Sequence, residues 1–160
     1  MIRLLFLTLG FLLIFSLGCE KSEPDQEKPE IDLTVADAFP NNCDTIYFGQ
    51  PFSFKLRLTD NVELGSLSID IHHNFDHHNH STEINPCVFD PIKTPINPLV
   101  FTRDFTLADG STDIIFTQDI LLPLGDAIGD YDTGDYHFFI SLTDKSGWSV
   151  QKGLSVKILK

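Results

Sequence analysis

The sequence predicts an all-β domain, an immunoglobulin-like two-sheet β-sandwich of about seven strands, preceded by a signal segment and a disordered tether. Three observations carry that reading. Apolar and polar side chains alternate from residue 31 onward, which is the period of a half-buried strand. No window of helical length carries an apolar stripe of helical period. Nine prolines and ten glycines punctuate the alternating runs, as turns between short strands require.

The chain opens on Met1, Ile2 and Arg3, followed by an apolar run from Leu4 to Phe15 broken only by Thr8 and Gly10. One positive charge, an apolar core of about a dozen residues and a small residue before a cleavage point make a secretory signal, too short to span a bilayer comfortably. Ser16, Leu17 and Gly18 then lead to Cys19. This is the pattern of a lipoprotein signal, in which residues 1–18 are removed and Cys19 takes the lipid. Several acyl chains, each contributing roughly 0.8 kcal/mol per buried methylene, hold such a protein on a membrane. The competing readings are an ordinary signal peptide ending by chance in cysteine, and an uncleaved anchor helix.

Residues 20–30 contain no apolar side chain except two prolines, and five acids stand against two lysines. Such a stretch cannot bury area to offset its ordering entropy, so residues 19–30 are expected to form a lipidated cysteine and a flexible acidic tether. In the Bacteroidetes, acidic residues soon after the lipidated cysteine accompany display on the cell surface, and this tether resembles that arrangement. The expected address is the outer membrane, on its surface or periplasmic face.

Residues 31–160 amount to one domain of roughly 130 residues, enough for a sizeable core. The formal charge of −12 argues against nucleic acid as a partner and against adhesion of the domain to anionic lipid, and it favours cations. With Cys19 lipidated, Cys43 and Cys87 are an even pair in an oxidising compartment. A disulfide closing a loop of about 45 residues is expected; buried thiols or two soft metal ligands are the alternatives.

Strands are expected at Ile31–Val35, then at Phe52, Phe54, Leu56 and Leu58, which alternate with polar residues. Leu67, Ile69 and Ile71 mark the next, followed by Val100–Thr106, Thr112–Leu121, the run Tyr136, Phe138, Ile140 and Leu142, and Val150–Leu159. Gly134-Asp-Tyr-His-Phe138, followed by Leu142-Thr-Asp-Lys-Ser-Gly-Trp148, resembles the penultimate strand, turn and last strand of secreted bacterial immunoglobulin-like modules. That resemblance implies strand F at Tyr136–Thr143 and strand G at Trp148–Leu159, with a glycine of positive φ in the turn between them.

Five of the six histidines fall between residues 72 and 80: His72, His73, His77, His78 and His80. Imidazole is a ligand for zinc, copper and nickel, and dense histidine tracts are a compositional sign of metal binding. If Leu67, Ile69 and Ile71 face the core, Asp70 and His72 lie on the outer face and His73 points inward. By the same parity His137 projects outward. In an immunoglobulin-like sandwich the third strand and strand F are hydrogen-bonded neighbours, and outward residues on paired strands come to about 5 Å. The expected site is therefore His72 and His137, completed by His78 or His80, with Asp76 or Asp135 as an oxygen ligand or as the acceptor that orients an imidazole. No fixed zinc-finger spacing or His-Glu-x-x-His helix is present. A solvated polar loop and a pH-sensitive histidine patch are the competing readings.

Asp70-Ile-His-His-Asn-Phe-Asp-His-His-Asn-His80-Ser81, with Gly134-Asp-Tyr-His-Phe138 and Thr143-Asp144, resembles an uncharacterised Bacteroidetes lipoprotein family, domain of unknown function 4625. The likeness covers most of residues 30–160. It implies that Ile71–Ser81 and His137 belong to one site, and it brings no established reaction with it.

Asp126, Asp130, Asp132 and Asp135 crowd the approach to strand F, and Asp130-Tyr-Asp132-Thr-Gly134 mimics the start of a calcium loop; neither the further oxygens nor the distal bidentate glutamate of that loop follow, so an acidic surface turn is the better reading. Trp148 and the aromatic excess in phenylalanine, 14 residues of which three lie in the signal segment, point to the sandwich core, an exposed tryptophan in a sugar-binding groove being the alternative. No Gly-x-Ser-x-Gly elbow is present. The expectation is a non-enzymatic lipoprotein that captures or delivers zinc or copper, its partners being the membrane and an outer-membrane transporter or surface protein. The rival readings are an adhesion or complex-forming module that binds protein or glycan, and a metal-dependent hydrolase.

Overall fold

A computed structural model describes residues 24–78 and 81–160. The signal segment, Cys19 and His80 lie outside the described residues. All regular structure among the described residues is strand: β1 (Glu30–Asp32), β2 (Thr45–Tyr47), β3 (Pro51–Thr59), β4 (Leu64–His73), β5 (Val100–Thr106), β6 (Asp113–Leu121), β7 (Gly134–Asp144) and β8 (Ser149–Leu159). They form two sheets, β1-β3-β6 and β2-β8-β7-β4-β5. In immunoglobulin terms these correspond to an A-B-E sheet facing a G-F-C sheet, with β4 as strand C and β7 as strand F.

The alternation read from the sequence decides which side chains enter the core. On β3, Phe54, Leu56 and Leu58 are fully buried; on β4 so are Leu67 and Ile71, with Ile69 nearly so; on β7, Tyr136, Phe138, Ile140 and Leu142 are fully buried. Phe54 sits among aromatic neighbours from both sheets, its ring centroid 5.6 Å from Phe138 and 5.9 Å from Phe116. At the entry to β7 the Tyr136 hydroxyl donates to the Asp132 carbonyl at 2.6 Å and accepts from the Leu99 amide at 3.3 Å. A tyrosine at the start of strand F that bonds back to the preceding backbone is a hallmark of this sandwich. Burial pushes its phenol up to about 12.

Three departures from the sequence reading have local causes. β1 ends at Asp32 rather than Val35 because the Asp32 carboxylate accepts from the Thr34 amide at 2.7 Å, folding the chain into a turn. β2, which alternation did not reveal, is three residues long and pairs in parallel with the end of β8. Trp148 is not in the core: it is 40% exposed in the β7–β8 turn, and its indole N–H donates to the Asp25 carbonyl at 3.0 Å. That turn otherwise forms as expected, with Gly147 at φ 95° and the Trp148 amide donating to the Asp144 carboxylate at 2.8 Å.

The Cys43–Cys87 disulfide is present, with the Cα atoms 5.4 Å apart. It ties the loop before β2 to the long segment between β4 and β5. That segment also lies along the edge of β8: the Thr82 amide donates to the Gly153 carbonyl at 2.9 Å, and the Gly153 amide donates to the Thr82 hydroxyl at 3.0 Å. A strand edge that would otherwise present unpaired backbone groups is thereby covered.

Candidate histidine cluster

β4 and β7 pair in antiparallel register with His72 directly opposite His137. The strand parity places both on the outer face of the sheet, as the sequence implied. The expected exposure of His137 does not follow, because it is only 1% exposed. The chain that leaves β4 folds back over it. Asn74 to His77 form a tight turn, closed by the His77 amide donating to the Asn74 carbonyl at 3.2 Å. His77 takes the left-handed conformation there, at φ 59°. Buried Phe75 pins the turn by packing edge-on against Tyr136 at 5.3 Å. His78 therefore returns above β7, and its carbonyl accepts a hydrogen bond from His137 Nε2 at 3.0 Å.

Three imidazoles meet here. Ring centroids are 5.5 Å apart for His72 and His137, 4.9 Å for His78 and His137, and 5.9 Å for His72 and His78. A zinc ion about 2.0–2.1 Å from three imidazole nitrogens in tetrahedral array sets ring centroids roughly 5 Å apart, so the spacing fits one ion. The His72 and His78 planes are nearly parallel, at 7°. Converging on a common ion requires a turn about χ2, which is a broad torsion.

The hydrogen bonds fix the tautomers. His72 Nδ1 lies 2.6 Å from Asp70 Oδ1 and His78 Nδ1 lies 2.5 Å from Asp76 Oδ1. A carboxylate only accepts, so each Nδ1 carries a proton, and in the neutral imidazole that binds a metal Nε2 carries the lone pair. Metal-binding histidines are oriented in this way, with a carboxylate on the nitrogen remote from the ion. Asp76 thus takes the orienting role of the two considered for it, and the His78 imidazole in turn holds its carboxyl below the usual range. Asp70 was not singled out by sequence reasoning. The usable signal was its parity, two residues before His72 on the same strand face. In His137 the Nε2 proton goes to a carbonyl, which puts the lone pair on Nδ1.

The other candidates are engaged elsewhere. Asp135 accepts from the Asp90 amide at 2.7 Å and faces Lys157 Nζ at 3.7 Å; burial raises its carboxyl above the usual range. It lines a cleft of about 270 Å³ beside the disulfide, with Phe89, Val156 and Lys157, and this cleft contains no histidine. His77 donates from Nε2 to the Asp90 carbonyl at 2.9 Å and packs on Phe89, a structural role. His73 lies against Phe75, with ring centroids 5.0 Å apart. The calcium-like stretch is a turn: Asp126 accepts from the Ile128 amide, Asp132 from the Ile96 and Asn97 amides, and Asp130 from Lys160.

The fold and these side chains define an immunoglobulin-like sandwich carrying a carboxylate-braced histidine cluster on the outer face of its C and F strands. The chain belongs to the family described as a domain of unknown function, DUF4625, whose model matches residues 17–159. No curated protein matches the sequence.

Proposed function

We propose that the protein is a lipid-anchored extracytoplasmic lipoprotein that binds a transition metal ion, zinc or copper, for capture or delivery. The observation that carries the reading is the convergence of His72, His78 and His137, two of them braced by a carboxylate at Nδ1. Imidazole donors suit zinc and copper. With both domain cysteines in the disulfide, nitrogen and oxygen remain as the donors, and His80 stands two residues after His78 in sequence. A chain net charge of −12 favours cation approach.

The lipobox-like run ending in Cys19 supports anchoring, and the acidic residues after it support display at the outer membrane, as in Bacteroidetes lipoproteins. β1 begins at the end of the sandwich that carries the β3–β4 and β7–β8 turns. The histidine cluster lies toward the other end of β4, where His72 is eight residue steps of about 3.3 Å from Leu64, or about 26 Å. An anchor at one end would thus leave the cluster facing outward, available to a transporter or surface partner.

Zinc titration of the full chain, purified in detergent without a histidine tag, tests the reading against a His72→Ala, His137→Ala double variant. Binding is expected in the first and strong weakening in the second; equal affinity in both would remove the site.

One observation favours a second reading, a module that docks on a protein or glycan. Ile84, Val88, Ile92 and Ile96, spaced four apart along the β4–β5 segment, are all at least 67% exposed, and exposed apolar groups of this kind mark contact surfaces. Partner binding that survives chelation and loss of His72 would select this reading.

A further inference from the structure

Asp25 precedes β1, Asp60 follows β3 and Asp144 ends β7, so the three are far apart in sequence. Their carboxylates nevertheless meet at the end of the sandwich opposite the histidine cluster, one oxygen from each lying within 4.8 Å of the others. Every one of these side chains is aimed by bonds to one of its oxygens. Asp25 Oδ1 accepts from the Glu27 amide at 3.1 Å and from the Asn61 side-chain amide at 3.0 Å. Asp60 Oδ1 accepts from the Val62 and Glu63 amides at 2.9 and 2.7 Å. Asp144 Oδ1 accepts from the Trp148 amide at 2.8 Å.

The second oxygen of all three, Oδ2, is buried with no hydrogen-bond partner. Asp144 is decisive because it is only 4% exposed, so neither solvent nor protein reaches the inward-facing half of its charge. Burial of an anionic oxygen without a donor is strongly unfavourable, and adjacent like charges add to the cost. The nearby Lys145 ammonium offers no relief, since it is taken by Asp109 and Glu63.

We infer that Asp25, Asp60 and Asp144 form a calcium site that fastens the segment before β1 to the β3–β4 and β7–β8 turns. Three carboxylate oxygens are hard donors that suit Ca²⁺, whose flexible shell of six to eight oxygens accepts the remaining ligands from water and backbone carbonyls. Magnesium demands a tighter octahedron and gives up its waters reluctantly. The ion would set the angle between the domain and the chain that leads to its N-terminus. This site is independent of the histidine cluster and of its proposed metal.

Terbium, a luminescent calcium mimic, tests the inference in the full chain in detergent. Trp148 is the chain's only tryptophan, and its indole bonds the Asp25 carbonyl, so excitation of Trp148 should sensitise a terbium ion held there. Calcium should quench that emission by competition, with a dissociation constant on the order of 10⁻⁴–10⁻³ M, the range of extracellular modules. Asp25→Asn and Asp60→Asn should each weaken calcium binding about tenfold or more, and His72→Ala should leave it unchanged. Calcium should also slow cleavage after Glu27 by a glutamate-specific protease. Asp25 lies outside every strand, so its variant tests the site without endangering the fold. Absence of calcium binding at about 10 mM, well above that range, would overturn the inference. Sensitised emission that survives Asp25→Asn and Asp60→Asn unchanged would overturn it as well.

Discussion

Replacing Cys43 and Cys87 together by serine should destabilise the domain and loosen the histidine cluster in one step. The bond spans a sequence separation of 44 residues. In the chain-entropy model a closed loop of that length removes about 13 cal/mol/K from the unfolded ensemble, or about 4 kcal/mol at room temperature. Native contacts of the segment that remain without the bond, such as Thr82 on Gly153, do not alter this term, because it acts on the unfolded chain. Urea unfolding followed by Trp148 fluorescence should therefore give a free energy lower by about 3–4 kcal/mol in the double variant. The same segment carries His78 over His137, so zinc affinity should fall as well, whereas His72→Ala should lower affinity and leave the urea midpoint nearly unchanged. A stability loss below about 1 kcal/mol would overturn this expectation, since the bond would then not be restricting the unfolded chain as its loop length requires.

Three further outcomes follow from the core and the sheet. The Tyr136 phenol stands at about 12 in the fold against 10.0 ordinarily; because the folded value is the higher, its contribution is intact below pH 10 and is lost as pH rises toward 12. The slope approaches about 1.4 kcal/mol per pH unit midway between the two values, so stability should drop by about 1 kcal/mol between pH 10 and 11, and Tyr136→Phe should flatten the fall. Phe54→Ala empties a site fully buried between the sheets and should cost about 3–5 kcal/mol by denaturant titration. Gly65→Ala puts a Cβ 2.7 Å from the Thr143 and Asp144 carbonyls at the β4 bulge; the strands must part, and a loss of about 1–3 kcal/mol is expected in thermal unfolding.

Much of this architecture was legible because it depends on period two. The alternation along β3, β4 and β7 states which residues are buried, and one topological rule about strands C and F makes the strands of His72 and His137 neighbours, the direct opposition of the two being set by the register. Cysteine parity in the compartment implied by the signal segment gave the disulfide. What the sequence concealed depends on chain reversals and on contacts between distant residues. The return of His78 over His137, which buries the latter, follows from a turn at Asn74–His77 whose Asn74 and Asp76 suit a reversal but do not state over which strand the chain comes back. Asp70 was visible as a neighbour of His72 on one face, but its bond to the imidazole depends on side-chain rotation. The meeting of Asp25, Asp60 and Asp144 depends on the arrival of the chain before β1 at two turns, and local composition marks that stretch only as polar. Trp148, read as core from its type alone, instead partners the Asp25 backbone.

X-ray absorption at the zinc edge of the zinc-loaded full chain reads out directly whether His72, His78 and His137 hold one ion. A shell that contains three imidazole nitrogens at about 2.0–2.1 Å is expected, reduced in the His72→Ala, His137→Ala variant. A shell of oxygens alone, or one unchanged by that double substitution, would contradict that expectation.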